Sequence, residues 1–297
     1  MKLDPRQSEA FQAAIASGSL EAAARQLHVT PSALSQRIRA LEESLGKPLL
    51  VRSRPCRPTR EGQLLLQHLQ RAALLEADLA ASFADDANTL LSVPLALNAD
   101  SMASWFLPML APFLIEKGIL LEVTVDDQDH TYNLLQAGLA VGCVSTEPQP
   151  MRGCSTVKLG VMRYRAMASA TFMQRHFAAG VTRDALRQAP VMIYNRKDKL
   201  QDNWLQQHFG LSQSACPCHY LPASDPYLQA VRLGLGWGML PEVQVAAHGG
   251  HEGLLDLLPQ HPVDVMLYWH SWKVQAPRLE QLSAALVAAA REALRQG

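Results

Sequence analysis

Residues 19–54, SLEAAARQLHVTPSALSQRIRALEESLGKPLLVRSR, decide the fold of the N-terminal part of this chain. Thr30 is a typical N-cap residue, and Pro31 follows at the first helical position, where its missing N–H costs nothing. Apolar residues then recur at helical spacing and form one face, namely Leu34, Ile38, Leu41 and Leu45. The stretch predicts two short helices joined by a tight turn and followed by a basic hairpin.

The opposite face of the second helix carries polar side chains that suit DNA. Ser32 and Ser35 offer hydroxyls, Gln36 an amide and Arg39 a guanidinium. These groups hydrogen-bond base edges and phosphates in a major groove. The pattern therefore predicts a helix-turn-helix whose second helix reads DNA.

A plain helical hairpin with a solvated polar face is the alternative interpretation, and the distribution of charge weighs against it. Residues 1–71 contain 11 Lys and Arg against 6 Asp and Glu, whereas the remaining residues contain 16 against 21. A chain of zero net charge thus concentrates its positive charge at one end, which is the footprint of a nucleic-acid partner. Further arginines follow the two helices directly, at Arg52, Arg54, Arg57 and Arg60. We therefore favour the DNA-binding interpretation.

The DNA-binding residues are assigned by position and chemistry. Base contacts are expected from Ser32, Ser35 and Gln36, with Pro31 beside them and Thr30 at the start of the helix. Phosphate contacts are expected from the guanidinium groups of Arg37, Arg39, Arg52 and Arg54.

A long helix is predicted directly after this segment. Thr59 is suited to cap it, and over residues 60–87 there is no Pro and Gly62 is the only Gly, so a helix of about 40 Å is allowed. Apolar residues recur near a 3.5-residue spacing, with Glu76 interrupting, at Leu65, Leu69, Ala72, Leu79 and Phe83. This spacing favours pairing with a second copy of the helix over packing onto its own domain. We expect a dimer that places two copies of the DNA-binding N-terminal segment, called the head below, on one DNA.

The N-terminal part resembles the LysR-type transcriptional regulators. The run SALSQRIRALEESLGKPLLVR at 32–52, followed by PTREG at 58–62, is similar to the signature of that family. Leu50 stands where the family usually carries Phe, and it keeps the position apolar. Later stretches resemble the branch that senses arginine or lysine and controls basic amino-acid export, among them LALNADSMASWFLPMLAPF at 95–113, VTVDD at 123–127 and VMLYWH at 265–270. The resemblance covers essentially all 297 residues.

Beyond Ser92, short apolar runs alternate with helical stretches. Strands are predicted at 93–97, 119–125, 141–144, 164–168, 191–194, 237–240 and 263–270. Helices are predicted at 102–113, 131–137, 200–208, 226–233 and 277–295. This alternation predicts an α/β domain with a parallel-rich sheet.

The resemblance adds the domain organisation. It implies an all-α winged helix-turn-helix at 1–58, a linker and dimerisation helix at 59–88, and an effector-binding domain at 89–297. The last is expected to have the bilobal fold of periplasmic solute-binding proteins, with the chain crossing between lobes near 162–164 and 265–267. Lobe I then covers about 92–162 and 267–297, and lobe II about 163–266.

Ligands of open α/β sheets bind beyond the carboxyl ends of the strands, at the starts of the following helices. This rule selects Asn98, Asp100, Ser101, Asp126, Asp127, Ser145, Thr146, Tyr194, Asn195, Ser224 and Asp225 as candidate effector-binding residues. The carboxylates of Asp100, Asp126 and Asp127 suit a ligand's cationic groups. The hydroxyls of Ser101, Ser145, Thr146 and Ser224 suit its carboxylate or amino group.

Each candidate also has a purely structural interpretation. Asp100, Ser101, Ser224 and Asp225 are residue types that commonly cap helices, with Asp225 placed to cap a helix starting at Pro226. Asp126 and Asp127 are equally compatible with solvated loop charges. The aromatic run at 267–272 is tempting as a cage for a cation, but it fits a buried strand better.

Composition narrows the function classes. The first apolar stretch is interrupted by charges and no apolar run approaches the ~20 residues of a membrane span, so we expect a cytoplasmic protein without membrane contact. The five cysteines show no paired framework and are interpreted as reduced structural thiols. No metal or other cofactor is expected. The glycine-rich 234–238 run follows a predicted helix and fits a turn rather than a phosphate loop.

The expected function is a LysR-type DNA-binding regulator that senses lysine or arginine and controls amino-acid export or related genes. Its expected partners are promoter DNA, the effector, and further copies of itself as a dimer and, by resemblance, a tetramer, with RNA polymerase as a further candidate. A regulator of the same type with a different small-molecule effector is the alternative. A solute-binding protein would not need the basic N-terminal segment, which argues against that class. The sequence also shows no recognisable catalytic motif, which argues against an enzyme. Both basic amino acids present a long stem and a distal cation, so the sequence does not separate them.

Overall fold

The computed structural model describes residues 3–83, 90–126 and 131–296. The chain begins with three helices, α1 (Pro5–Ser17), α2 (Leu20–Gln26) and α3 (Pro31–Leu45). Thr30 Oγ1 accepts a hydrogen bond of 3.1 Å from the Ala33 N–H, and Pro31 occupies the first turn of α3. The predicted helix start is therefore confirmed.

The three helices close around one apolar core. Leu34, Ile38 and Leu41 of α3 are fully buried in it together with Phe11 of α1. Two short antiparallel strands, β1 (Leu50–Val51) and β2 (Arg57–Pro58), form the wing. The Glu42 carboxylate accepts hydrogen bonds from the Leu49 and Leu50 N–H groups at 2.8 and 3.2 Å, which fixes the wing to the end of α3.

The long helix α4 (Arg60–Phe83) starts where the sequence predicts. Thr59 Oγ1 accepts from the Gly62 N–H at 3.0 Å. Gly62 is required here because a Cβ would lie 2.1 Å from the Leu49 carbonyl oxygen. The end of the predicted helix at 84–87 lies outside the described residues.

The apolar stripe on α4 divides into two parts. Leu65 is 9 % exposed and packs, with Leu69, into the core of the N-terminal head. Leu79 and Phe83 are 60 % and 81 % exposed. The first part of the stripe therefore serves the head's own core, as the alternative interpretation had it, and the second part faces outward.

The middle of α4 packs against the C-terminal α/β domain, along a contact that we call the α4 seam. It consists of the pairs Gln67–Gln136, Arg71–Trp272 and Asp78–Arg278, with Leu74 buried between them. Gln67 Nε2 donates to the Gln136 carbonyl at 2.6 Å. The Arg71 guanidinium lies 4.6 Å from the Trp272 ring centroid.

The Asp78–Arg278 ion pair of the seam is largely buried, with side-chain exposures of 10 % and 16 %. Close approach of α4 also depends on Gly138. Its φ is +72°, and a Cβ there would lie 2.8 Å from the Gln67 nitrogen.

The main sheet of the C-terminal α/β domain has seven strands. They are β3 (Leu91–Asn98), β4 (Ile119–Asp126), β5 (Gly142–Ser145), β6 (Cys154–Ser169), β9 (Gly238–Pro241), β10 (Leu254–Asp256) and β11 (Val263–Trp272). Their order is β10-β6-β11-β5-β3-β4, with β9 also paired to β6. Pairing is parallel where β3 meets β4 and β5, and antiparallel elsewhere. The expected parallel-rich sheet is thus a mixed one.

Two long antiparallel strands run through the whole domain. β6 and β11 pair from Tyr164–Val263 at one end to Cys154–Trp272 at the other. The predicted crossings near 162–164 and 265–267 fall on this ladder, where Met162 pairs with Val265. The names lobe I and lobe II are kept below for the residue ranges given above.

The remaining elements cover these strands. Lobe I carries α5 (Ala99–Ser101), a π-helical turn at Met102–Phe106, α6 (Leu107–Glu116), α7 (Thr131–Gln136) and α13 (Pro277–Ala293). Lobe II carries α8 (Ala170–His176), α9 (Arg183–Gln188), α10 (Leu200–Phe209), a 3-10 turn at Gln213–Ala215, α11 (Ser224–Arg232) and α12 (Glu242–Ala247). A separate parallel pair joins β7 (Val191–Ile193) to β8 (Cys218–Tyr220).

The aromatic run at 267–272 lies on β11, and Leu267, Trp269, His270 and Trp272 are buried. Its interpretation as a buried strand is confirmed. In the part of the chain that the structure describes, no helix is long and apolar enough to cross a membrane. The same residues contain no cluster of three His, Cys, Asp or Glu side chains arranged to hold a metal ion.

Candidate functional site

The residues predicted to touch DNA are all at least partly accessible on the N-terminal helices and wing. Thr30, Pro31, Ser32, Gln36 and Arg39 are exposed, and Ser35 and Arg37 are half-buried. On α3, the residues at 32, 35, 36 and 39 share a helical face because they are three or four positions apart. This face is opposite to the buried Leu34, Ile38 and Leu41.

Two of these residues have particular surroundings. Thr30 uses its hydroxyl oxygen to cap α3, so its first role is structural. The Arg54 side chain on the wing is 92 % exposed, and its Nη2 lies 3.9 Å from Glu21 Oε1. Arg52 is also exposed. The polar face of α3 and the basic wing therefore offer both amide and guanidinium donors to solvent.

A second candidate site is lined by residues from both the lobe I range and the lobe II range. It is a cleft with about 530 Å³ of empty volume, part of it open to solvent. Its lining residues come from both lobes and are Asn98, Ala99, Asp100, Tyr164, Tyr194, Asp198, Leu200, Gln201, Ser224, Tyr227, Met239, Pro241 and Gln244. Four sequence-predicted residues, at 98, 100, 194 and 224, are thus brought together.

Asp100 is the central carboxylate of the cleft. It lies in α5, directly after β3 ends, and is half-buried. Its Oδ2 accepts a hydrogen bond of 2.7 Å from the Tyr164 hydroxyl, and its Oδ1 accepts one of 2.8 Å from Ser224 Oγ. The carboxylate is therefore held by one donor from strand β6 and one from helix α11.

A second carboxylate, Asp198, lines the cleft from lobe II and was missed by the sequence analysis. Its Oδ1 accepts from the Leu200 N–H at 2.9 Å, and its Oδ2 accepts from the Tyr194 N–H at 3.4 Å. The strand-end rule selected only Tyr194 and Asn195, directly after β7. The turn at residues 195–198 returns the chain to the cleft, so Asp198 at the end of this turn is again part of the lining.

Asp198 makes the cleft acidic. The described lining contains the carboxylates of Asp100 and Asp198 but no Lys or Arg. Two carboxylates from opposite lobes, without a basic neighbour in the lining, favour a positively charged ligand.

Two buried amides of the cleft have unused hydrogen-bonding groups. Asn98 is 2 % exposed, and neither its Oδ1 nor its Nδ2 has a partner among the described residues. Gln201 is also 2 % exposed, and its Oε1 has no partner in the same part of the chain. Leaving such groups unpaired costs about 1–3 kcal/mol each, so each calls for an explanation.

Tyr227 lines the cleft and is held in place by two hydrogen bonds. Its hydroxyl donates to the Met192 carbonyl at 2.8 Å and accepts from Gln201 Nε2 at 2.9 Å. Burial raises the pKa of Tyr227 far above its usual range, and the charges of Asp198 and Asp100 raise it further. The phenol therefore stays neutral beside the two carboxylates.

Several predicted residues do not reach the cleft lining. Ser101 is fully buried, and Ser145 is buried with its Oγ accepting from the Glu147 N–H at 3.1 Å. Thr146 is half-buried after β5. Asn195 Oδ1 accepts from the N–H groups of Lys197 and Asp198 at 2.7 and 3.2 Å and so shapes the turn before α10.

The expectation that Asp225 caps a helix starting at Pro226 is wrong. Helix α11 begins at Ser224 after Ala223, which places Asp225 inside the first turn. Its Oδ1 accepts from Gln244 Nε2 at 3.1 Å and lies 3.4 Å from His248 Nε2. Asp225 therefore positions Gln244, a residue of the cleft lining, and does not line the cleft itself.

The acids after β4 remain a prediction. Asp126 ends that strand and is paired in register with Asn98, at the same edge of the sheet. The Asp126 side chain and Asp127 lie outside the described residues.

Comparison with known proteins places both parts of the chain in one family. Residues 5–63 match the bacterial regulatory helix-turn-helix protein, lysR family, and residues 92–291 match the LysR substrate binding domain. The HTH-type transcriptional regulator ArgP of Aeromonas salmonicida is 39% identical over 296 residues, covering 99% of each chain.

Solved structures give the same result. The crystal structure of ArgP from Mycobacterium tuberculosis has a TM-score of 0.83 and 40% identity, covering 100% of each chain. Full-length LysG from Corynebacterium glutamicum, solved with bound effector Arg, has a TM-score of 0.77 and 31% identity, covering 99% of this chain and 100% of that one. The chain therefore belongs to the LysR family of DNA-binding transcriptional regulators.

Proposed function

We propose that this regulator senses a basic amino acid, lysine or arginine, and thereby controls transcription of amino-acid export or related genes. The observation that carries the proposal is the acidic cleft, which Asp100 and Asp198 both line, without Lys or Arg in the described lining. A molecule with two cationic groups complements this cleft, because each carboxylate gains a charge-assisted hydrogen bond.

The relatives support the same ligand class. The LysG protein of Corynebacterium glutamicum, 31% identical to this chain, was solved with arginine as its effector. Arginine and lysine share an α-ammonium group, a long apolar stem and a distal cation.

The DNA site is proposed to be the polar face of α3 together with the wing. Ser32, Ser35 and Gln36 reach base edges, with Thr30 and Pro31 at the helix start. The guanidinium groups of Arg37, Arg39, Arg52 and Arg54 hold phosphates. Helix insertion into a major groove presents these groups at the distances that base reading needs.

Two copies are proposed to pair through α4. Several of its apolar side chains are exposed, with Leu64 at 61 %, Leu75 at 41 %, Leu79 at 60 % and Phe83 at 81 %. An open groove between α1, the end of α3 and α4 adjoins them. A second α4 covers such a surface, and dimers pair into tetramers through the effector domains. The protein works on promoter DNA in the cytoplasm, with RNA polymerase as a further partner.

Ligand and DNA are coupled through the lobes. A ligand that takes Asp100 competes with, or adds to, the donors Tyr164 and Ser224 and so favours one lobe arrangement over another. The α4 seam connects lobe I to the reading head. Coupling of this kind is typically about 1–3 kcal/mol, which corresponds to a switch of several-fold to a hundredfold.

Calorimetric titration of the full chain with arginine, lysine and leucine tests the proposal. Binding of either basic amino acid, without binding of leucine, is the expected result. Silence toward both cations overturns the effector assignment and leaves a LysR-type regulator with a different small-molecule effector.

A further inference from the structure

We infer that a basic amino acid lies across the cleft in one direction, with its α-carbon end on lobe I at Asn98 and Asp100 and its distal cation on lobe II at Asp198 and Gln201. This inference rests on the proposed function and assigns the recognition of each ligand group to named residues. The unpaired amide atoms of Asn98 and Gln201 and the two carboxylates together provide the argument.

The lobe I end offers a donor and acceptors side by side. Asn98 is 2 % exposed with both amide atoms unpaired within the described chain, and it stands two residues from Asp100. An amide N–H donates to a carboxylate, and a carboxylate accepts from an ammonium group. An α-amino acid carries these two groups on one carbon, so the pair Asn98–Asp100 matches its α-carbon end.

The lobe II end offers acceptors. Gln201 Oε1 is buried without a partner in the described residues, while its Nε2 is already committed to the Tyr227 hydroxyl at 2.9 Å. Asp198 adds a carboxylate whose position is fixed by the N–H groups of Leu200 and Tyr194. Guanidinium and ammonium groups are donors without acceptor capacity, so this end matches a distal cation and repels a carboxylate.

The reverse direction leaves both ends mismatched. A ligand carboxylate on lobe II would face the Asp198 carboxylate and the Gln201 oxygen, with the Gln201 amide nitrogen already used. A distal cation on lobe I would leave the Asn98 amide nitrogen unpaired. Unpaired buried donors and like charges in contact both oppose binding.

The test compares lysine with two analogues, each of which lacks one group. Norleucine lacks the distal ammonium group, and 1,5-diaminopentane lacks the α-carboxylate. Affinities are measured by calorimetry on the full-length wild type and on Asp198→Asn, Asn98→Ala and Asp184→Asn. The last is a matched control, because Asp184 is an exposed carboxylate in α9 of lobe II and does not line the cleft.

Asp198→Asn is expected to weaken lysine binding at least about tenfold, as loss of a charged partner in a buried pair does. The preference for lysine over norleucine should fall by a similar factor, while the preference for lysine over 1,5-diaminopentane stays. In Asn98→Ala, the preference for lysine over 1,5-diaminopentane should fall, while the preference for lysine over norleucine stays. Asp184→Asn should match the wild type. Asn at 198 keeps an acceptor for the Leu200 N–H at 2.9 Å and loses only the longer bond of 3.4 Å from the Tyr194 N–H, so the turn before α10 keeps its shorter hydrogen bond.

Two other results have distinct meanings. If the wild type binds neither lysine nor arginine, the proposed function fails and this inference fails with it. If the wild type binds lysine but the lysine–norleucine preference collapses in Asn98→Ala and survives in Asp198→Asn, the direction is wrong while the proposed function stands. Thermal unfolding of each variant identifies any loss of affinity that comes from misfolding.

Discussion

Ser224 Oγ donates a hydrogen bond of 2.8 Å to Oδ1 of Asp100, and the two residues are 124 positions apart in the chain. Asp100 belongs to lobe I and Ser224 to lobe II. The carboxylate proposed to hold a ligand's ammonium group therefore also holds the lobes against each other. Ligand binding and lobe arrangement share one acceptor, which is a direct physical route from effector to conformation.

Removing the Ser224 hydroxyl should loosen this contact. Ser224→Ala is expected to lower the free energy of unfolding of the effector domain by about 1.5 kcal/mol, since the lost hydrogen bond goes to a charged group. All five tryptophans lie between residues 105 and 272, so tryptophan fluorescence during chemical denaturation reports on this domain. Ser44→Ala removes a hydroxyl of the head that bonds locally to the Leu41 carbonyl, and it should leave the same transition unchanged.

Arg39→Ala should weaken DNA binding to a similar extent on specific and random sequences. The reason is that Arg39 is an exposed guanidinium assigned to a phosphate, and phosphates carry no sequence information. The slope of log affinity against log salt should shrink by about 1. Fluorescence anisotropy at several salt concentrations measures both quantities.

Gln36→Ala should act differently from Arg39→Ala. Gln36 is exposed on the same face of α3 and carries a neutral amide, which pairs with base edges. Its loss should relax discrimination between sequences by about 1–3 kcal/mol and leave the salt slope unchanged. Equal losses on specific and random DNA for both variants would contradict the two role assignments.

The effector domain should lose stability as the pH falls below 6.5. Burial lowers the pKa of His270 beneath its ordinary value of 6.5, against the opposing influence of its hydrogen bond to the Glu147 carbonyl. The unfolded chain therefore takes up a proton that the folded chain refuses, and protonation favours unfolding from pH 6.5 down to the folded pKa.

The His270→Asn variant should remove this part of the pH dependence. The slope of unfolding free energy against pH should be smaller than in the wild type by up to about 1.4 kcal/mol per pH unit. Chemical denaturation at pH 5, 6, 7 and 8 measures the slope. Other histidines with lowered pKa, His176 and His208, titrate in both proteins and cancel in the difference. Equal slopes in the two proteins would show that the pKa of His270 is the same in the folded and the unfolded chain.

Breaking the buried ion pair of the α4 seam should cost more than removing it. Arg278→Met leaves the Asp78 carboxylate, whose side chain is 10 % exposed, without its partner. The expected loss of unfolding free energy is about 3–5 kcal/mol. The double variant Asp78→Leu with Arg278→Met should recover most of it. Additive losses in the two single variants and the double variant would mean that the pair is not coupled.

The sequence predicted the parts of this protein that depend on local chemistry. Thr30 and Thr59 were identified as helix caps from residue type alone, and both cap the helices expected. The strand-end rule selected Asn98 and Asp100, and both line the cleft, because a parallel strand followed at once by a helix leaves little freedom. The helix starting at 224 was placed two residues late, since the proline at 226 is a strong local signal and the serine before it a weak one.

What the sequence did not give depends on distant contacts. Asp198 faces the cleft because of the turn that Asn195 shapes, and that turn has no periodicity to read. The first half of β6 was missed, since its register is fixed by β11 more than a hundred residues away. Leu65 and Leu69 read as a dimer stripe although they pack into the head, because one spacing serves both kinds of contact.

The α4 seam has a consequence for how this protein is divided for experiments. A truncated chain starting at residue 90 would begin at a natural boundary by sequence, yet it would lack every α4 residue of the seam. Such a fragment would present the Trp272 ring and the Arg278 guanidinium without the groups that now cover and neutralise them. The fragment starting at residue 90 should therefore be less soluble and less stable than the same residues in the full chain. Ligand affinities measured on this fragment should differ from those of the full chain.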